Sequence, residues 1–109
     1  MHLWSLTTYI EFDCQDIRNS NILYNFANLL SDFGKQKDSL IYYNKALEIT
    51  KTIPNIYFNK ANALLDLKHY IEAIENYDKT ILLKNNHRNA IFNKAIALSE
   101  STKISKVCP

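Results

Sequence analysis

One glycine and two prolines in 109 residues leave the chain few turn-makers, so it can be mostly helix. Its two cysteines, Cys14 and Cys108, lie near opposite ends. They make no disulfide framework and no CxxC site, and free thiols in a reducing cytosol are the expectation, which places the chain in the cytoplasm. No apolar run is long enough to span a bilayer, so no membrane role is expected. The first residues, MHLWSLTTYIEF, lack a basic region before their short apolar stretch, and no signal peptide is expected. A net charge of +2 with acids and bases interleaved argues neither for nor against a partner of one sign, no basic block stands out as a nucleic-acid arm, and nucleic acid is not the expected partner. His2, His69 and His87 are scattered without a cysteine at ligand spacing, so no metal is implied. His69 and His87 are expected as solvated turn residues. There is no glycine-rich phosphate loop, and no Ser/His/acid or Cys/His set. These absences together imply no cofactor and no enzyme. What remains is an ordinary soluble composition, 47% hydrophobic and 22% charged, with length enough for one domain and a modest core.

What is present is a period. NIYFNKANALLDL starts at Asn55 and NAIFNKAIALSE at Asn89, 34 positions later; a further 34 back lies Asn21, in NILYNFANLL. Ala27, Ala61 and Ala95 keep the same interval, as do Leu30, Leu64 and Leu98. A second half of the unit repeats as well: Leu40 with Ile74, Tyr43 with Tyr77, Leu47 with Ile81. Inside the unit, Leu23, Phe26, Ala27 and Leu30 fall on one face of a helix, and Leu40, Tyr43 and Leu47 begin a second. Gly34 suits the end of the first helix, where the left-handed conformation is favoured, and Pro54 suits the start of the next. Two helices in a unit of this length predict a helical solenoid.

The unit resembles the tetratricopeptide repeat. With its first position at Ser20, Pro54 and Arg88, the small eighth position holds Ala27, Ala61 and Ala95. Ser39 and Ala73 take the small twentieth position, Tyr43 and Tyr77 the aromatic twenty-fourth, Ala46 and Thr80 the twenty-seventh. The apolar seventh position departs from the pattern at Lys60 and Lys94, and Lys51 and Asn85 replace the closing proline. The resemblance implies an all-α fold, a right-handed α-solenoid of antiparallel helix pairs with five to six helices. It divides the chain into a degenerate leading helix over 1–19, repeats over 20–53 and 54–87, the first helix of an incomplete third repeat over 88–101, and a flexible tail over 102–109. The leading segment is in register, with Ser5 at the small position and Tyr9 at the aromatic one, though Phe12 takes the place of an alanine. Ile91, Ala95 and Leu98 then face an empty place, because STKISKVCP has no second-helix pattern. An array needs about three units to bury its faces. The expectation is therefore a piece of a longer array, a truncated product, or a chain that self-associates through its exposed terminal helix.

In tetratricopeptide arrays the first helices line a groove that holds peptides. The positions that usually face it read Asn21, Asn55 and Asn89 at the second, Tyr24, Phe58 and Phe92 at the fifth, and Asn25, Asn59 and Asn93 at the sixth. Asn28 and Asn62 stand at the ninth, followed there by Ile96, and Asp32, Asp66 and Glu100 at the thirteenth. An amide carries both donor and acceptor and can pair with a peptide's C=O and N–H together. The acidic row would favour basic residues in a protein or peptide partner. The row is similar to the asparagine ladder of the superhelix attached to O-GlcNAc transferases. A plainer reading stands beside it: asparagine is abundant throughout the chain, and at the sixth and ninth positions it often bonds neighbouring backbone. The carboxylate clamp of chaperone-binding repeats fits poorly. Its asparagines match Asn28 and Asn59, but its cationic places hold Tyr24, Asn89 and Asn93. Two alternatives remain to an interaction module: an RNA-binding repeat of the pentatricopeptide kind, whose period is one residue longer, and a targeting segment of a larger enzyme such as a glycosyltransferase.

Overall fold

The computed structural model describes residues 20–107. The leading helix expected over 1–19 lies outside the described residues, as do Cys108 and Pro109. The described residues form five α-helices and no strand: α1 (Ser20–Asp32), α2 (Gln36–Ile49), α3 (Pro54–Asp66), α4 (Tyr70–Leu83) and α5 (Arg88–Val107). Each helix packs on the next, and α1, α3 and α5 also touch in series. This is a solenoid of helix pairs, α1 with α2 and α3 with α4, followed by α5. Among the described residues no helix is long and apolar enough to cross a membrane.

The same turn joins the helices of each pair. After α1, the Gly34 N–H bonds the Ser31 carbonyl (3.0 Å) and the Lys35 N–H reaches back to Leu30 (2.8 Å). After α3, Lys68 bonds Leu65 (2.9 Å) and His69 bonds Leu64 (2.8 Å). Both are the double-bonded helix stop that needs a left-handed residue just past the end. Gly34 supplies it at φ +80° and Lys68 at φ +66°. A Cβ on Gly34 would meet nothing within 4 Å, so the glycine answers the dihedral and not a lack of space. The second helices then start alike, with Asp38 in the first turn of α2 and Glu72 in that of α4, where a negative charge favours the helix dipole. Pro54 opens α3 with its fixed φ.

The repeated small residues set how closely the helices approach. Ala27, Ala61, Ser39, Ala73, Ala46 and Thr80 are fully buried, and Tyr43 and Tyr77 fill the space between units. Burying such a ring contributes about 2 kcal/mol each. At the seventh position Lys94 pairs with Asp78 of α4 (2.6 Å). Lys60 is half-buried, and desolvation lowers its pKa, with Lys79 nearby adding to the effect.

The fifth helix corrects the expected tail. The helix does not stop at 101 but runs to Val107. Thr102 occupies the register of Gly34 and Lys68, 34 residues on. A β-branched residue is strongly disfavoured at positive φ, so the stop does not form. Thr102 is instead helical, its Oγ1 donating to the Leu98 carbonyl at 2.6 Å.

Candidate functional site

The face shared by α1, α3 and α5 gathers part of the asparagine row into two matching clasps. In the first, the Tyr43 hydroxyl of α2 donates to Asn28 Oδ1 of α1. From α3, Asn59 Nδ2 donates to the same Oδ1 at 3.2 Å and to the Tyr24 hydroxyl at 2.5 Å. In the second, one repeat later, Tyr77 donates to Asn62 Oδ1 and Asn93 Nδ2 donates to it at 3.0 Å. Phe58 stands where Tyr24 stood and offers no hydroxyl. The rings beside the clasps are spaced alike: Tyr24 to Tyr43 at 6.1 Å, Phe58 to Tyr77 at 6.0 Å.

The clasps fix the amides. Asn28 and Asn62 use their oxygens inward and keep their Nδ2 groups outside these bonds. Asn59 and Asn93 use their nitrogens inward and keep Oδ1 outside. No buried side-chain N or O atom is left without a partner among the described residues. Each clasp therefore presents one donor and one acceptor of set orientation, the pair a peptide unit requires. Around the first clasp lies a depression of about 370 Å³ lined by Asn28, Ser31, Asp32, Tyr43, Asn59 and Asn62. No cation lines it.

Electrostatics follow from this placement. Burial raises the Tyr43 hydroxyl well above the usual phenol range, and Tyr24 and the Asp32 carboxylate push the same way. Burial pushes Tyr77 up to about 12; the hydrogen bond with Asn93 works against this, and Asp66 works with it. Asp32 and Asp66 are exposed beside the clasps, and Asp66 Oδ2 accepts from Gln36 Nε2 at 3.4 Å. Glu100 is half-buried, with Lys103 at 3.3 Å.

The other residues of the expected groove are not drawn together. Asn21, Asn25 and Asn89 are exposed, and so is Phe92, at 66%. Asn55 is also exposed, but its Oδ1 lies 3.3 Å from His87 Nε2. His87 departs from the expectation of a solvated turn residue. Its Nδ1 accepts the Ala90 N–H at 3.1 Å, capping α5, and its ring lies 4.6 Å from that of Phe58. The signal was its place three residues before Ala90, at a helix start with no Ser, Thr, Asp or Asn to cap it. His69 is exposed, as expected, with Glu72 3.4 Å away. A second depression, about 410 Å³, lies at the α4–α5 loop between Lys84, Asn86, His87, Arg88 and Asn89.

Known structures share this fold. No curated protein matches the chain in sequence. Among solved structures, the second tetratricopeptide domain of Spaghetti (RPAP3), bound to the HSP90 peptide SRMEEVD, superposes with a TM-score of 0.76 at 20% identity, covering 84% of each chain. MamA gives a TM-score of 0.80 at 17% identity, over 90% of this chain and 57% of its own. YrrB, described as a tetratricopeptide protein with an unusual peptide-binding site, gives 0.76 at 21% identity, over 86% of this chain and 48% of its own. Two tetratricopeptide repeat models match the sequence, over residues 20–52 and 42–75, and together they span more than half of it. With two helix pairs, the small and aromatic positions buried as the repeat requires, and these matches, the chain belongs to the tetratricopeptide repeat family.

Proposed function

We propose that the chain is a non-catalytic protein–protein interaction module, whose α1–α3 face takes an extended peptide carrying basic residues. The observation that carries this reading is the pair of clasps. They spend half of each amide between repeats and hold the other half outward, so binding a peptide's backbone would not require the amides to be ordered first. Asp32 and Asp66, exposed beside the clasps, would select Lys or Arg in the ligand. The reading is also supported by the peptide-binding descriptions of the Spaghetti domain and YrrB. An acidic tail such as SRMEEVD suits this face less, because Tyr24 and Asn93 stand where a carboxylate would need cations.

The clasps also decide how to test it. Replacing Asn59 or Asn93 would loosen the contact between repeats and confound binding with stability, whereas Asp32 and Asp66 are exposed. Binding to an immobilised library of extended peptides is measured for the native chain and for Asp32→Asn/Asp66→Asn, with circular dichroism to confirm equal folding. Basic peptides are expected to bind the native chain and to lose about tenfold in affinity with the double variant. Retention of no basic peptide by the folded native chain would refute the reading. RNA binding that falls steeply with salt would move the chain to the nucleic-acid class.

A further inference from the structure

His87 ties the start of α5 to α3 through both of its ring nitrogens. Its carbonyl accepts the Ile91 N–H at 3.1 Å and its Nδ1 accepts the Ala90 N–H at 3.1 Å, so the residue is the N-cap of α5. A backbone N–H can only donate, and Nδ1 therefore carries no proton. The proton of the neutral ring is on Nε2, which lies 3.3 Å from Asn55 Oδ1 of α3 and donates to it. One tautomer of the neutral imidazole meets both partners. The imidazolium cannot, because both of its nitrogens are donors. The ring also lies 4.6 Å from that of Phe58. The start of α3, one repeat earlier, has no such device: Ile53 precedes Pro54 and makes no side-chain cap bond.

We infer that His87 is a pH-sensitive latch, which holds the start of α5 on α3 while its ring is neutral and releases it on protonation. The inference rests on the docking of α5 alone and not on peptide binding, although the helix released is the one that carries Asn93 of the second clasp. The surroundings set the direction. Lys84, at the end of α4, and Arg88 of α5 line the depression beside the ring, while Asn55 and Phe58, from α3, carry no charge. Both cations oppose a third positive charge, and so does the N-terminal end of the helix dipole. The Phe58 ring would attract an imidazolium, by about two- to fivefold in the equilibrium. The lost cap and the dipole each weigh about as much the other way, so a charged ring is better accommodated with the start of α5 released. The contribution of the latch is therefore complete at pH values where the ring is neutral, and it is lost as pH falls and the ring takes up its second proton.

The test is amide hydrogen exchange of the full chain at about pH 8 and about pH 5, corrected for the intrinsic rate at each pH, with α5 read against α1 and α2. On acidification, protection over residues 90–97 should fall about fivefold more than protection in α1 and α2. His87→Asn, whose side-chain oxygen caps a helix at either pH, should abolish that difference, and His87→Ser should do the same as a second variant. His69→Asn should leave it as it is in the native chain. Long-range proton–nitrogen spectra at about pH 8 should place the His87 proton on Nε2. A proton found on Nδ1 overturns the inference. So does α5 protection that follows α1 and α2 between the two pH values. An equal fall in the native chain and in both His87 variants overturns it as well, since the acid response would then belong to other groups.

Discussion

Helices α3 and α5 begin almost identically, PNIYFNKA and RNAIFNKA, yet one is embedded and the other half open. Both bury the face turned to the preceding pair: Ile56 and Ala63 in α3, Ala90 and Ala97 in α5. They differ on the face turned to a second helix, which α3 has and α5 lacks among the described residues. The difference teaches that the repeat motif specifies a surface, while its burial is specified by the neighbour. An alanine at the eighth position is a packing residue in one helix and a surface residue in the other, though Phe-Asn-Lys precedes it in both.

Breaking the embedded member should cost most. Tyr77→Ala removes a fully buried ring and its bond to Asn62, and should lower stability by about 3–5 kcal/mol in urea or thermal unfolding. Phe92→Ala on exposed α5 should stay within about 0.5 kcal/mol. The same tyrosine gives a pH readout. Its folded pKa, pushed up to about 12, exceeds the unfolded value of about 10. The stability linked to its neutral form is complete below pH about 10 and is lost as pH rises toward 12. Alkaline unfolding followed by circular dichroism should therefore set in as pH rises toward about 12, and Tyr77→Phe, which cannot ionise, should weaken that pH dependence.

A subtler pair asks for added volume in place of removed volume. Ala61→Leu forces a larger side chain between α3 and α4, where Ala61 is fully buried, and should cost about 1–3 kcal/mol. Ala95→Leu, one repeat on and exposed, should change stability by less than about 0.5 kcal/mol. Equal costs at the two sites would mean that this face of α5 is covered in solution.

Much of this was legible in the sequence because the period multiplies weak signals. One alanine means little, but three at a fixed interval, each in an apolar stripe, define a helix face. Helix starts at Ser20, Pro54 and Arg88 follow from the same register. The destination of the asparagines was not legible. Whether an amide faces solvent or a neighbour depends on how one unit sits on the next, and the Tyr43 and Tyr77 hydroxyls that claim Asn28 and Asn62 come from a different helix. The plainer reading was right that these amides bond within the array, though their partners are side chains and not backbone. The length of α5 was missed for another reason. The missing second-helix pattern in STKISKVCP does not report that length; the missing stop does, at Thr102, which stands in the register of Gly34 and Lys68.

That stop offers the smallest and cleanest comparison, because one position is sampled three times. Lys68 holds a left-handed conformation that costs a non-glycine residue about 1–2 kcal/mol, part of which glycine would lose again through the greater freedom of its unfolded chain. Lys68→Gly should therefore stabilise by a net of about 0.5–1 kcal/mol, read as a higher midpoint in urea. Gly34→Lys should destabilise by a similar amount, and since nothing lies within 4 Å of its Cβ position, the loss would measure the dihedral alone. Thr102→Gly should leave stability nearly unchanged and shorten α5, seen as reduced helical circular dichroism and faster amide exchange beyond Ser101. If Thr102→Gly leaves the helix at full length, the turn is set by the second helix that packs beneath it and not by the residue at the stop, and the extension of α5 would follow from its missing neighbour.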